Sequence, residues 1–250
     1  MKSTFKPRSL GALVVVSLFA SPVHAFDYEL WLKAAVRIDA NGHVDHVAWR
    51  NTRDSASVIT ERLDPIIRSW VFEPGRINGT AVATDTFLTL QVLGEEKEDG
   101  AVNLSLGTVR TGAIMDTLAP PRYPMKEARN GNSAELLATL DISPDGQVQV
   151  VDVQVEASRL GSGAAFVKSL KEAVAEWKPA LERVGGIPVA SSLQVPVQFC
   201  GPGDLGWCLK RDRERMERMH QEGEVSAPAG ETIALESAVR LMTRVDGTGI

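Results

Sequence analysis

Apolar residues alternate with others from Leu32 to Ile38, at Leu32, Ala34, Val36 and Ile38, which is the period of a strand with one buried face. Asn41-Gly42 follows as a strong hairpin signal, and Val44 to Trp49 reads as the returning strand. The same order recurs 104 residues later, with Leu136, Ala138, Leu140 and Ile142, then Asp145-Gly146, then Val148 to Val155. In both returning strands the apolar phase changes part-way, which predicts either a bulge or a strand buried on both faces.

A helical period follows each hairpin. Ile59, Leu63, Ile67 and Trp70 lie at i, i+4, i+8 and i+11, and Phe166, Leu170, Val174 and Trp177 repeat that spacing at an offset of 107. The extra residues of the later unit fall near Gly161-Ser162-Gly163, a loop and cap. Asp64-Pro65 suits an N-cap and first helical position, which predicts a late start or a kink in the first helix. Thr86, Leu88, Leu90 and Val92 match Leu193, Val195, Val197 and Phe199 at the same 107 offset, as does Gly79 with Gly186. The expected fold is therefore α+β, built of two tandem units. Each would be a β-hairpin, one helix and a final strand, forming a three-stranded antiparallel sheet covered by the helix.

Lys2, Lys6 and Arg8 precede the apolar run Leu10–Ala20, and Ser21-Pro22-Val23-His24-Ala25 ends on a small residue. These parts make a secretory signal with cleavage before Phe26, and the run is too short to span a bilayer. The expected division is a signal peptide at 1–25, a first unit at 26–94, a linker at 95–117, a second unit at 118–200, and a disulfide-closed turn with a charged tail at 201–250. The linker carries the acidic run Glu95–Asp99, read as solvated. An exported chain meets oxidants, so Cys200 and Cys208 are expected to pair, stabilising by about 2–3 kcal/mol.

The chain has 27 basic and 32 acidic residues, and removing the signal takes the net charge from −5 to −8. That sign excludes a general nucleic-acid binder. Gly201 to Gly206 spells a dinucleotide fingerprint, but it lies between two cysteines without the strand and helix that motif needs. His43 and His46 face opposite sides of a strand, with no accompanying ligand cluster, and only His220 joins them after cleavage. Neither a catalytic motif nor a metal site is read, so the expectation is a non-enzymatic protein without cofactors. Leu209–Glu222 reads as a charged helix. Ile233–Val245 fits a short helix or a strand.

Ala119-Pro120-Pro121-Arg122-Tyr123-Pro124, with Ala128 and Pro144-Asp145-Gly146-Gln147-Val148, resembles the C-terminal domain of TonB-family energy transducers. Trp70-Val71-Phe72-Glu73-Pro74-Gly75 with Asn78-Gly79 is similar to that family's Trp-x-aromatic-x-Pro signature, and Trp177-Lys178-Pro179-Ala180 with Gly185-Gly186-Ile187-Pro188-Val189 is also family-like. The resemblance covers about residues 31–93 and 118–200. It implies a periplasmic location and a partner segment from an outer-membrane transporter or other envelope protein, bound as an added strand beside the last strand. Carried over, that strand is Leu193, Gln194, Val195, Pro196, Val197, Gln198 and Phe199, helped by Pro121, Arg122 and Tyr123. Arg122 stands where the best-known members have a polar amide. Pro196 marks an edge strand, as a partner edge or as one guarded against aggregation.

Two features depart from a transducer. The signal is read as cleaved, leaving no stable membrane insertion, and no long Pro-rich spacer occurs. One alternative keeps the N-terminus uncleaved as the anchor of a TonB-type energy transducer. Another is structural, with the units packing as a homodimer or scaffold of the cell envelope.

Overall fold

The computed structural model describes residues 28–50, 56–159, 163–201, 203–222, 227–245 and 247–250. The signal segment, Gly161 and Ser162 lie outside the described residues. In chain order the structure begins with β1 (Tyr28–Ile38), β2 (Val44–Arg50), α1 (Ser57–Arg68), β3 (Phe72–Glu73), β4 (Arg76–Ile77), β5 (Thr80–Ala81) and β6 (Thr84–Glu96). It continues with β7 (Val102–Thr111), β8 (Ile114–Thr117), α2 (Met125–Arg129), β9 (Ser133–Ile142), β10 (Val148–Arg159) and α3 (Ala164–Val174). Last come β11 (Lys178–Ala180), β12 (Arg183–Val184), β13 (Ile187–Pro188), β14 (Ser191–Phe199), α4 (Leu205–Glu222), β15 (Ile233–Ala234) and β16 (Arg240–Leu241).

Both predicted hairpins form. In the first, the Gly42 amide donates to the Asp39 carbonyl at 3.1 Å and the Asp39 amide to the His43 carbonyl at 2.8 Å. Gly42 holds a φ of +90°, and a Cβ there would lie 2.0 Å from the Phe72 carbonyl oxygen, so backbone crowding as well as φ requires glycine. In the second hairpin Gly146 donates to Ser143 at 2.8 Å and Ser143 to Gln147 at 3.1 Å. The phase changes are bulges, opposite the Arg37/Ile38 step in the first hairpin and at Val150/Asp152 and Val155/Ala157 in the second.

An aspartate braces each turn. The Asp39 carboxylate accepts the backbone amides of His43 and Asn41, the His43 bond being the main reason its pKa lies below the ordinary value. Asp145 is lowered mainly by the Ser143 hydroxyl. A carboxyl depressed in the folded state contributes stability that is present above its unfolded pKa and fades as pH falls through the folded one. Both groups should therefore protonate below the unfolded-chain value in an NMR pH titration. Asp39→Asn should remove the acid dependence at that turn, whereas ordinary titration of both would remove the claim.

Alternation and helical period place the core as expected. Leu63 and Ile67 of α1, with Trp70 just beyond it, pack on Leu32, Val36, Leu88 and Leu90. Phe166, Leu170 and Val174 of α3, with Trp177, pack on Leu136, Leu140, Leu193 and Val195. The late start predicted for α1 is not found, because the helix begins at Ser57 and runs through Pro65 to Arg68. Asp64, expected as an N-cap, instead pairs its carboxylate with Arg68 one turn on, at 2.6 Å.

Two expectations are corrected. The sheets are larger than three strands. The first has six, in the order β13-β12-β6-β1-β2 with β7 also on β6, and the second has four, β10-β9-β14-β15. The span 95–117 is not a solvated linker, since β7 pairs with β6 from Leu88↔Thr111 to Glu96↔Val102 and β8 pairs with β11. The acidic run ends β6 and turns the chain, with Gly100 donating to the Lys97 carbonyl at 2.9 Å. Val102, Leu104 and Leu106 then supply an alternating apolar face, which Leu104 and Leu106 turn toward the first core.

The charged tail is also structural. After β15 pairs with β14, β16 pairs with β3, and the amides of Gly247 and Ile250 donate to the Leu106 and Leu104 carbonyls of β7 at 2.9 and 3.0 Å. Val239 and Val245 are buried in the first core, while Ile233 is buried beside β14. Glu182, buried in the turn after β11, accepts from Thr86 of β6 at 2.5 Å and from Ser237 and Ala238 of the tail, both at 2.8 Å.

Candidate functional site

β14 lies beside β9 over its whole length, from Ser191↔Ile142 to Phe199↔Ala134. Its alternation turns Leu193, Val195, Val197 and Phe199 into the second core, all of them buried. Along a strand, the amide and carbonyl of one residue point to the same side. The Ser192 and Pro196 carbonyls accept amides from the tail, so Ser192, Gln194 and Pro196 face the edge away from β9. Pro196 therefore turns its missing N–H to that outer side, where it leaves the ladder with β9 intact.

That edge is occupied by the chain itself. Leu235 donates to the Ser192 carbonyl and Gly230 to the Pro196 carbonyl, both at 2.9 Å, and between them Ala234 pairs with Leu193 and Ile233 with Gln194. Thr232 and Ile233 are buried. Glu231 reaches Lys33 of the first sheet at 2.6 Å. The occupant thus sits between the second sheet's edge and the face of β1 opposite Leu32 and Ala34. At the other end of β14, the Gln198 side-chain amide donates to the Cys208 carbonyl at 3.0 Å.

The segment before α2 divides in its roles. Tyr123 is brought to the strand, its ring edge-on to Phe199 at 5.8 Å and to Phe166 at 5.7 Å. Its hydroxyl donates to the Asn132 carbonyl, and burial raises its pKa. Arg122 is exposed and its carbonyl accepts the Ser169 hydroxyl of α3, so it is fastened to the helix. Pro121 is half-buried beside it. The segment is further held by the Trp177 indole, which donates to the Ala119 carbonyl at 2.8 Å.

Cys200 and Cys208 are joined with a Cα separation of 6.1 Å, so the glycine-rich run between them is a closed turn. It leads into α4, whose Arg211 reaches the buried Glu135 of β9 at 2.9 Å and whose Arg215 pairs with the same carboxylate. Asp204 accepts from Ser133 at 2.9 Å and pairs with Arg159 of β10. His43 is exposed at the first turn, and His46 lies on β2 opposite Arg37. Among the described residues no group of three or more His, Cys, Asp or Glu could hold a metal ion, and no helix is long and apolar enough to cross a membrane.

Beside this edge the structure also brings Lys33 and Gly230–Leu235, of which the sequence pattern marks only the stretch from Ile233, as a short helix or a strand. The signal for the latter was faint: one β-branched pair, Thr232-Ile233, followed by small and apolar residues.

This geometry, an antiparallel sheet with one long helix across it and a proline-bearing last strand, agrees with the comparison of the sequence with known families. Residues 119–200 match the family described as Gram-negative bacterial TonB protein C-terminal. That family is non-enzymatic, and its periplasmic domains serve energy transduction and protein interaction, with outer-membrane transporters as partners. The match supports a TonB-like envelope protein. A search of curated proteins gives no match.

Proposed function

We propose that the protein is a periplasmic, non-enzymatic binding module that takes an extended segment of an outer-membrane transporter or other envelope protein as a strand beside β14. The observation that carries this is the edge itself, whose Ser192 and Pro196 carbonyls already engage the amides of an added strand. Strand addition draws affinity from backbone bonds and selectivity from alternate side chains. Leu193–Phe199 would supply the edge, with Tyr123 holding Phe199 and the segment of Pro121 and Arg122 in place.

The reading includes a tandem duplication, with units at 26–94 and 118–200, a cleaved signal at 1–25 and Phe26 as the new N-terminus. Supporting the duplication, Arg76 donates to the Gly79 carbonyl at 3.0 Å and Arg183, 107 residues on, to the Gly186 carbonyl at 3.2 Å. The corresponding edge of β6 is filled by the long strand β7, whereas that of β14 is met by the two-residue β15 and its flanking bonds, which makes β14 the edge a partner would take.

Titration of residues 26–250 with N-terminal peptides of outer-membrane transporters from the same cell should give saturable binding, with shifts at the Ser192 and Gln194 amides. No binding at millimolar peptide would sink this function. N-terminal sequencing of the exported chain separates it from the anchored transducer, because a protein starting at Phe26 has lost the apolar run Leu10–Ala20 that would anchor it.

The occupied edge favours a second reading, a closed structural scaffold of the cell envelope, as monomer or homodimer. Concentration-dependent sedimentation together with a failed titration would support it.

A further inference from the structure

Resting on the strand-addition reading, we infer that Gly230–Leu235 is an internal ligand for β14. Its sequence defines the partner class: an extended segment with an acidic residue two places before an apolar, β-branched one. The site is then built by both halves of the chain, and Lys33 of β1 is its specificity-determining residue.

Three observations converge. First, the segment uses the edge as an added strand would, through Gly230, the Ile233–Ala234 pairs and Leu235. Second, the contacts grade its positions. Glu231 meets Lys33 at 2.6 Å, Ile233 is 1 % exposed, and Ala234 packs on the second core. A Cβ on Gly112 would come within 2.5 Å of the Ala234 methyl, so the position after the β-branched residue must be small. Third, the internal occupant is imperfect. Thr232 is 2 % exposed and its hydroxyl has no hydrogen-bond partner among the described residues, a penalty carried by the closed form. Residues farther along the tail, Val239 and Val245, are fixed in the first core. Opening therefore concerns the short stretch before Glu236 and leaves the downstream anchor in place.

An internal strand competes at an effective concentration of about millimolar. A free segment gains the edge only when it binds better than Glu231–Leu235 or when that stretch has opened.

The probes are a fluorescent peptide of residues 229–237 and the transporter peptides, titrated against the full exported chain. Ile233→Pro, which removes an edge bond and a buried side chain, should raise affinity for the 229–237 peptide at least tenfold. Thr232→Val in the chain should close the edge further and weaken binding about fivefold, and the same change in the peptide should tighten it. Gln194→Cys with Ile233→Cys, a cross-strand pair, should abolish binding until the bond is reduced. In the Ile233→Pro chain, where the internal strand no longer competes, Lys33→Glu should weaken the peptide at least threefold, and a peptide with lysine at the glutamate position should recover it.

If Ile233→Pro does not fold, the valine variant and the locked pair still decide the matter. Failure of the 229–237 peptide to bind a folded Ile233→Pro chain overturns the inference, as does indifference to Thr232→Val and to the lock. Transporter peptides that bind the native and locked chains equally would overturn it while leaving transporter binding intact. Binding of the 229–237 peptide without any transporter peptide would uphold it and remove the transporter role instead.

Discussion

Phe166→Ala should destabilise the protein by about 3–5 kcal/mol, the range for emptying an aromatic side chain from a core. Phe166 is 1 % exposed in the first turn of α3. Its ring meets Phe199 at 4.9 Å and Tyr123 at 5.7 Å, and Tyr123 in turn meets Phe199 at 5.8 Å. Three rings so placed contribute beyond their buried area, by about 0.5–1.5 kcal/mol per pair. Set against a total stability of about 5–15 kcal/mol, the loss is a large fraction. The damage should also be local, because Phe199 precedes the disulfide that carries α4. Urea unfolding measures the first effect, and hydrogen exchange of β14 and α4 measures the second. Phe87→Ala, at a half-buried ring under the Arg50 guanidinium, serves as the milder comparison. Equal losses at both sites would contradict the three-ring cluster.

Glu135→Ala should cost a similar amount for a different reason. The Glu135 carboxylate is buried on the face of the second sheet opposite Leu136, where Arg211 and Arg215 converge on it. Arg215 is itself only 5 % exposed, so removing the acid takes away its buried partner and leaves it the more exposed Asp212 alone among the described carboxylates. Breaking such a pair from one side costs about 3–5 kcal/mol, whereas replacing both partners by apolar groups is often neutral. Glu135→Leu combined with Arg215→Met should therefore recover much of the loss. A double variant as unstable as the single one would show that the charge is not the cause. Denaturant midpoints give the ranking, and loss of amide protection in α4 should accompany the single variant alone.

Both hairpins, both long core helices and most core positions were legible, because strand and helix each impose a period on their apolar residues. Leu32, Ala34, Val36 and Ile38 announced their buried face, and so did Phe166, Leu170 and Val174. Most of what was hidden had no period, and β7 is the exception. β7 carries a legible alternation, but the acidic stretch before it drew the reading toward solvent, and charge beside a strand is compatible with a turn. β15 and β16 are two residues each, and their ladders lie far away in the chain, at β14 and β3. Locally such a stretch fits a short helix as well as a strand. Buried polar residues such as Glu135 and Glu182 are equally silent, since only the assembled fold supplies their partners. For the candidate site, the strand and Tyr123 could be read, and its occupant and Lys33 could not.

The route of the C-terminal ribbon has a consequence for how the molecule is made. Residues 230–250 close the β14 edge, complete the β7 edge and insert Val239 and Val245 into the first core. During synthesis they emerge after the other strands and helices described above. A nascent chain with everything else in place would present two open strand edges and an incompletely filled apolar interior. Such species associate through those edges. The dangerous interval thus ends only once this ribbon has followed the rest, and a chaperone that holds the chain until then would serve it best.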